Sequence, residues 1–365
     1  MEAVMSACDV IVIGAGPSGA IAARQLALAG AQVALIDRAR FPRDKVCGGC
    51  LNRAAVEQLD ALGIDTPSDA LPTDALQLHA GAHSATLRVD GVAVSRRTFD
   101  RALIEHAIAA GVRFFPQTHA ALGPIEDDCR RVGSLRGRVV LVADGLGGSA
   151  CDNHAQLRVR VRRRSHMGFS ATLDSIPAWH RRGAIDMFCG RHGYVGMVQL
   201  AGGKLNIAAA MKPAFVRSAG GPGAAAMQTL GRDINLAGAH WHGTGLLTRR
   251  RAHVATERVF VIGDAACYVE PFTGEGMAWA IAGAVAVTPI AVQAIERWDQ
   301  ALAVRWTHTY RRIVARRQWT CRLVAAALRR PMLMRGIVAM LARRPELARP
   351  LVSAIQHRSE KGLVT

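Results

Sequence analysis

The stretch from Asp9 to Arg38 constrains this chain more than any other. Val10-Ile11-Val12-Ile13 is an unbroken apolar run, as a strand buried on both faces requires. Gly14-Ala15-Gly16-Pro17-Ser18-Gly19 follows. A helix-forming segment, Ala20 to Ala29, is closed by Gly30, and a second apolar run, Ala31 to Ile36, ends in Asp37. Strand, glycine turn, helix, second strand and terminal acid make a βαβ unit of about thirty residues. Its spacing has a physical reading. Gly14 permits a tight turn, Gly16 lets the backbone approach a pyrophosphate, and Gly19 lets the helix pack closely on the strand. The helix N-terminus at Pro17 and Ser18 offers free N–H groups and a positive dipole end. Asp37 stands eighteen residues past Gly19, placed to bond a ribose hydroxyl, with Arg38 beside it. The pattern predicts a bound dinucleotide.

The remainder of the 365 residues supports an α/β fold of two interleaved domains. Residues 76–97 read as short strands around Gly81 and Gly91. Thr98 to Ala110 reads as an amphipathic helix with Phe99, Leu103, Ile104, Ala107 and Ile108 on its apolar side. Arg138 to Ala143 is a buried strand ending in Asp144-Gly145, and Arg258 to Gly263 is another, ending in Asp264. Residues 157–212 read as strands with turns at Gly183, Gly190 and Gly202-Gly203, and 213–240 as loop and helix. The segment after Glu296 reads as helix broken near Pro331, Pro345 and Pro350. A Rossmann-type domain is therefore expected from residues 1–75, 98–156 and 250–295. Residues 76–97 and 157–249 form an inserted β-rich substrate domain, and 296–365 a basic helical C-terminal region. Gly276 to Ile295 carries no charge over twenty residues, enough to span a bilayer. Its position after the Gly263-Asp264 turn, and Gly283, Thr288 and Pro289 within it, favour a helix buried against the sheet.

Charge narrows the partners. Lys plus Arg exceed Asp plus Glu by 46 − 28 = 18, and only Lys45, Lys204, Lys212 and Lys361 are lysines. The arginine preference fits coding bias; the surplus points to an anionic partner such as a phosphorylated ligand or an anionic membrane surface. Nucleic acid is disfavoured, because no binding motif is present and aromatic residues are only 5%. Eight scattered cysteines and no recognisable leader favour a reducing cytoplasm. Cys47-Gly-Gly-Cys50 has redox spacing without a thioredoxin-like context.

With these turns in place, the order of motifs resembles one FAD-dependent superfamily. It includes p-hydroxybenzoate-type monooxygenases, flavin-dependent halogenases and geranylgeranyl reductases. The likeness runs over roughly residues 9 to 290. It is carried by GAGPSG with Asp37, by Arg96-Arg97-Thr98-Phe99-Asp100, by Ala143-Asp144-Gly145, and by Gly263-Asp264-Ala265-Ala266 followed by Pro271-Phe272-Thr273-Gly274-Glu275-Gly276. Pro42-Arg43-Asp44-Lys45-Val46-Cys47-Gly48-Gly49 and the PFTGEGM loop resemble the geranylgeranyl reductase branch. The resemblance implies FAD as cofactor. Asp264 would lie at the ribityl chain, Pro271 to Gly276 along the isoalloxazine, Arg96 at the phosphates, and the Lys–Cys–Gly segment beside the flavin. It implies reduction of a carbon–carbon double bond in a prenyl-like chain, with NADPH, NADH or a ferredoxin-like protein as electron donor. Hydroxylation of an aromatic or lipid-like metabolite is the alternative, and a non-catalytic, membrane-associated flavin-binding protein a third reading. Gly193-Tyr194-Val195-Gly196-Met197 departs from the reductases' GYGW-type run, the halogenases' WxWxIP motif is absent, and Cys267 replaces the hydroxylases' histidine after GDAA.

Cys47, Lys45 and Glu275 are the candidate catalytic side chains. Each has a plainer reading: a small buried hydrophobe, a solvated lysine and a helix-terminal carboxylate, respectively. The spacing of His79 with His83, and of His240 with His242, supplies no third ligand, so no metal is expected. Arg158, Arg160, Arg162, Arg163 and Arg164 alternate with valines as a charged edge strand does. From Glu296 to Arg349, thirteen arginines face three acids. Leu323, Val324, Leu328, Leu333, Ile337, Val338 and Leu341 recur between them at helical spacing. That pattern fits a cap over the substrate domain or a helix lying on an anionic membrane. An apolar substrate, with the enzyme cytoplasmic and peripheral at the inner membrane surface, is the corresponding expectation.

Overall fold

The computed structural model describes residues 7–236, 238–270, 275–315, 321, 326–328 and 330–356. Strand Ala7–Ile13 lies at the centre of the first sheet because Val10, Ile11 and Val12 have no exposed surface. It pairs in parallel with Val33–Ile36 on one side and Leu135–Val142 on the other. Arg113–Phe115 and Val259–Val261 extend the parallel core outward. Helices Pro17–Leu28, Arg96–Ala109 and Glu275–Glu296 cover this sheet. Helix Arg96–Ala109 buries Phe99, Leu103, Ile104 and Ala107, with the Ser95 hydroxyl capping Arg97 N–H at 3.2 Å. Ile108, expected on the apolar side, is half exposed.

The apolar segment near residue 280 is a helix of 22 residues whose Trp279, Ile281, Val287 and Ile290 are spent in the main core. By length and composition it passes as a membrane span, but most of its surface is buried inside the fold.

The second sheet runs in the order His242–Leu246, Met167–Leu173, Lys204–Met211, Gly193–Leu200, Ala184–Gly190, Leu71–Ala80, His83–Ala93 and Cys50–Asn52. Two expectations change here. The short strands around Gly81 are one long hairpin, with Gly81 at φ +62° in its turn. The boundary expected between residues 75 and 76 falls inside strand Leu71–Ala80, and Cys50–Asn52 also joins this sheet by pairing with His83–Ala93. A third sheet of Val159–Val161, Arg249–Arg251 and Cys267–Tyr268 lies beside the Gly263-Asp264 turn, with Val159–Val161 at its edge.

The C-terminal region is built into both halves. Trp306, on helix Gln300–Tyr310, is fully buried and donates its indole N–H to Val261 O at 3.1 Å. Met334, Val338 and Leu341, on helix Pro331–Arg343, cover Leu76, Leu78, Ala85 and Leu87 of the second sheet. Leu328 is buried in the same cluster and Leu333 is exposed; Leu323 and Val324 lie outside the described residues. The helices are broken near Pro331, Pro345 and Pro350 as expected, and each proline stands in the first turn of the element that follows, where no donor is needed. The tail thus belongs to the fold. Trp306→Ala is expected to cost about 3–5 kcal/mol in urea denaturation. Truncation after Glu296 is expected to yield unfolded chain; a truncated protein with a native two-state transition would refute this.

Candidate active site

The glycine turn is shaped by contacts that no side chain could share. Gly14 has φ +106°, and a Cβ there would lie 2.4 Å from Ala143 O. A Cβ on Gly19 would lie 1.8 Å from Gly14 O, so helix and strand meet backbone to backbone. Gly16 differs. A Cβ on it would have free space, facing Arg43 Nη2 and Arg96 Nη2 at 3.9 Å and Lys45 Nζ at 4.0 Å. Three cations therefore converge on one point at the N-terminus of helix Pro17–Leu28, whose cap Gly16 supplies no side-chain bond to the free N–H groups.

The acids around these cations are fewer. Asp100, fully buried, accepts two bonds from Arg96 at 2.8 Å and sits 3.4 Å from Arg43. Burial works against the Arg96 charge, yet Asp100 and the Cys47 sulfur beside it raise its pKa above the usual value. Lys45 is shifted down by burial and by Arg96 and Arg43, with Asp264 and Asp100 opposing. Asp264 is shifted up by burial, against the pull of Lys45, Arg96 and Arg249. The cluster is thus short of negative charge, which a diphosphate would supply.

Other polar atoms await a ligand. Ser18 Oγ is buried without a hydrogen-bond partner among the described residues, beside Gly263 at φ +59°. Asp144 accepts from Ala150 N–H at 3.0 Å through one oxygen, while the other is buried without a hydrogen-bond partner among the described residues. Burial pushes its pKa up. Asp37 accepts from the N–H groups of Ala15 and Ala39, both at 2.8 Å, which locks the acid at the strand end. Asp37, Arg38, Gly14 and Asp144 also line a small recess of about 50 Å³ beside the glycine turn.

A cavity of about 520 Å³ runs from this cluster to the second sheet. Gly16, Pro17, Ser18, Asp37, Arg38, Lys45, Cys47, Arg96, Asp144, Gly145, Asp264 and Gly276 line its cofactor end. Leu76, Val89, Met187, Tyr194, Met197, Ala209 and Leu247 line the other, with Val352 of the tail. Gly14, Gly19 and Gly263 stand behind the wall as packing residues. Pro271 and Gly274 lie outside the described residues.

Among the catalytic candidates, Lys45 and Cys47 reach the cavity. Cys47 Sγ accepts from Gly49 N–H at 3.4 Å, and its carbonyl accepts from Asn206 Nδ2 at 3.1 Å. Glu275 does not line the cavity. It is buried at the start of its helix and accepts a bond from Cys321 Sγ at 2.5 Å. Cys50 is buried and burial pushes its thiol up to about 12, so it is a poor partner for dithiol chemistry. His79 bonds Ser84 Oγ at 2.9 Å and Asp186 at 2.8 Å, and no group of metal-ligating side chains occurs among the described residues.

Sequence reasoning missed Arg43, Tyr194 and Tyr268 as site residues. Arg43 sits inside the Pro42–Gly49 run and had a legible signal. Tyr194 and Tyr268 reach the cavity only through sheet packing.

Comparisons with known proteins agree with this geometry. Residues 7–133 match the FAD binding domain family. A menaquinone reductase of Mycobacterium tuberculosis is 29% identical over 340 residues, covering 82% of this chain and 80% of that protein. A menaquinone reductase of Mycolicibacterium smegmatis is 52% identical over 56 residues, 15% of this chain and only 14% of its own length. Digeranylgeranylglycerophospholipid reductase 1 of Methanopyrus kandleri is 32% identical over 154 residues, 38% of this chain and 40% of its own. The solved structure of a geranylgeranyl bacteriochlorophyll reductase-like protein of Thermoplasma acidophilum shares the fold. Its TM-score is 0.74 at 16% identity, covering 96% of this chain and 100% of that one. The chain is an FAD-dependent oxidoreductase. It is similar to the menaquinone reductase over most of its length, and FAD is its cofactor. The non-catalytic reading falls with that assignment.

Two predictions follow from the cation cluster. Gly16→Val is expected to keep the native circular dichroism but purify without flavin, whereas Gly19→Val is expected to lose the fold. Flavin retained by Gly16→Val at full content would remove the diphosphate assignment. Protonated Lys45 attracts the diphosphate, and its pKa is depressed in the free protein. FAD affinity should therefore hold at low pH and fall as pH rises through that depressed value. Fluorescence titration should show this slope, and Lys45→Met should flatten it; a wild-type affinity that rises with pH would contradict the placement.

Proposed function

We propose that this enzyme saturates a carbon–carbon double bond in an apolar, prenyl-like chain, using electrons from reduced FAD. One observation carries the reading: the cofactor end of the cavity is continuous with a wall of aliphatic side chains on the second sheet. That wall offers a ligand few polar groups, which suits a hydrocarbon chain. Burial of each methylene is worth about 0.8 kcal/mol, so length alone can supply affinity. The relatives named for menaquinone and for digeranylgeranylglycerophospholipid point the same way, since both are lipids with prenyl chains. The flavin supplies the hydride. The protein's own residues orient the chain, exclude water and hold the cofactor's charge. The electron donor is NADPH, NADH or a ferredoxin-like protein that docks transiently.

We further place the enzyme in the cytoplasm, peripheral at the inner membrane surface, where such substrates dissolve. Met332, Leu333, Met340 and Leu347 are exposed on the tail among the exposed Arg330, Arg335, Arg343 and Arg344, and Val352 of the same region borders the cavity. Apolar insertion and attraction to anionic lipid would then act together.

Both ideas meet in one experiment. Reduced holoenzyme is mixed anaerobically with a geranylgeranyl-chain lipid in anionic or in neutral vesicles, and the product is weighed by mass spectrometry. A gain of two hydrogens, faster with anionic vesicles at low salt, is expected. A product that forms only after air is admitted and gains oxygen would instead establish hydroxylation. Equal rates on both vesicle types would remove the membrane contact.

A further inference from the structure

Saturation of a double bond needs a proton as well as a hydride, and the cavity wall offers an unexpected source. Tyr194 lies on strand Gly193–Leu200 with its ring against the cavity. The strand starts at Gly193, φ +148°, where a Cβ would lie 2.1 Å from Ala210 O, so the chain there is packed too closely to shift. The Tyr194 hydroxyl lies close enough to Glu270, two residues past the third sheet's Cys267–Tyr268 strand, for that carboxylate to act on its ionisation. Glu270 also takes His166 Nδ1, at 2.9 Å to one oxygen and 3.1 Å to the other.

Glu270 and His166 are both almost fully buried, at 2% and 3% exposure. Burying an acid and an imidazole costs desolvation that a pair of apolar residues would avoid, so the fold alone gives no reason for them. The His166 segment is held in place: Leu247 N–H donates to His166 O at 2.9 Å, and Thr248 N–H to the neighbouring Ser165 Oγ at 2.7 Å. The trio links the second and third sheets, with Tyr194 as its member at the cavity wall.

We propose that Tyr194 delivers the proton in double-bond saturation and that Glu270 and His166 position and recharge it. The inference rests on the reductase reading above. As the π bond breaks, one carbon takes the hydride furnished by the reduced cofactor and the other takes the proton of the Tyr194 hydroxyl. Two C–H bonds form, and the oxidised cofactor and a tyrosinate remain. The Glu270–His166 pair returns a proton to the tyrosinate and is refilled from solvent. The groups facing Tyr194 fit a neutral phenol waiting between turnovers. Burial first, then Glu270, Tyr268 and Cys321, raise its pKa well above that of a free tyrosine. Cys47, the other candidate donor, faces Arg96 and the Gly49 N–H instead.

The test uses FAD-loaded protein and a geranylgeranyl-chain lipid in anaerobic stopped flow. Tyr194→Phe, which removes one oxygen and keeps the ring, is expected to lower kcat about a hundred-fold or more, as loss of a general acid does. KM, FAD content and reoxidation by oxygen should stay as in the wild type. Glu270→Gln is expected to lower kcat less, again without a change in KM. A second readout needs no turnover. The chain has three tyrosines, so ultraviolet difference titration resolves them. Glu270→Gln should move tyrosine ionisation to lower pH, and adding Tyr194→Phe should remove most of that shift. Wild-type protein that leaves the lipid unsaturated would overturn the reductase reading and this inference together. Active wild type with an unimpaired Tyr194→Phe, or a loss carried by Cys47→Ala or Tyr268→Phe instead, overturns the Tyr194 assignment alone.

Discussion

Arg43, Lys45 and Arg96 crowd around Gly16, with Asp100, Asp264 and Asp37 among the acids that oppose them, and the rest of the molecule is arranged about that concentration of positive charge. Three buried cations repel one another; burial first, and then Arg96 and Arg43, depress the Lys45 pKa. A diphosphate resolves the repulsion in a way no residue of the chain does. The bidentate Asp100 holds Arg96 rigid from behind, so the guanidinium face is set before the ligand arrives. The βαβ unit supplies the neutral side of the same pocket. Its glycines admit the phosphate backbone where any side chain would fill the space, and its helix contributes an aligned dipole.

The second sheet explains how one scaffold can serve an oily ligand. Its strands put alternate side chains on two faces. One face meets the cavity and the C-terminal helix, through Leu76, Leu78 and Leu87. The other packs a separate core around Phe169, Val195 and Ile207 under helices Pro213–Ser218 and Pro222–Leu230. The tail is therefore a wall of the substrate region as well as a cover, since Met334, Val338 and Leu341 close the sheet while Val352 borders the cavity. That double duty reconciles the two readings of its amphipathic pattern. Its buried stripe is spent on the fold, and a second set of apolar residues, Met332, Leu333 and Met340, remains outside.

Several local features were legible because their causes are local. A valine–isoleucine run predicts a buried parallel strand, and strand Ala7–Ile13 is one. The uncharged segment near residue 280 passed for a membrane span or a core helix on hydropathy, and its neighbours in sequence favoured the core. Where the reading slipped, nonlocal packing was responsible. The strand crossing residue 75 extends back to Leu71 because Leu71, Pro72 and Thr73 pair with Ala93, Val92 and Gly91 at the far end of the hairpin. Glu275 was placed by the flavin loop it belongs to, but its carboxylate turns to Cys321, 46 residues on.

The sequence by itself determined the class of ligand and the place it binds. Glycine spacing, the acid at the second strand's end and the PRDKVCGG run act over a few residues, where backbone sterics and dipoles leave little choice. Only the tertiary structure decided which groups share the reacting end of the cavity. Glu270 and His166 stand 104 residues apart, and Tyr194 belongs to a different strand again. Each looks like an ordinary polar residue in its own segment. Their meeting depends on how the second and third sheets pack, and that packing is fixed by the sum of many weak apolar contacts that no short stretch of sequence records.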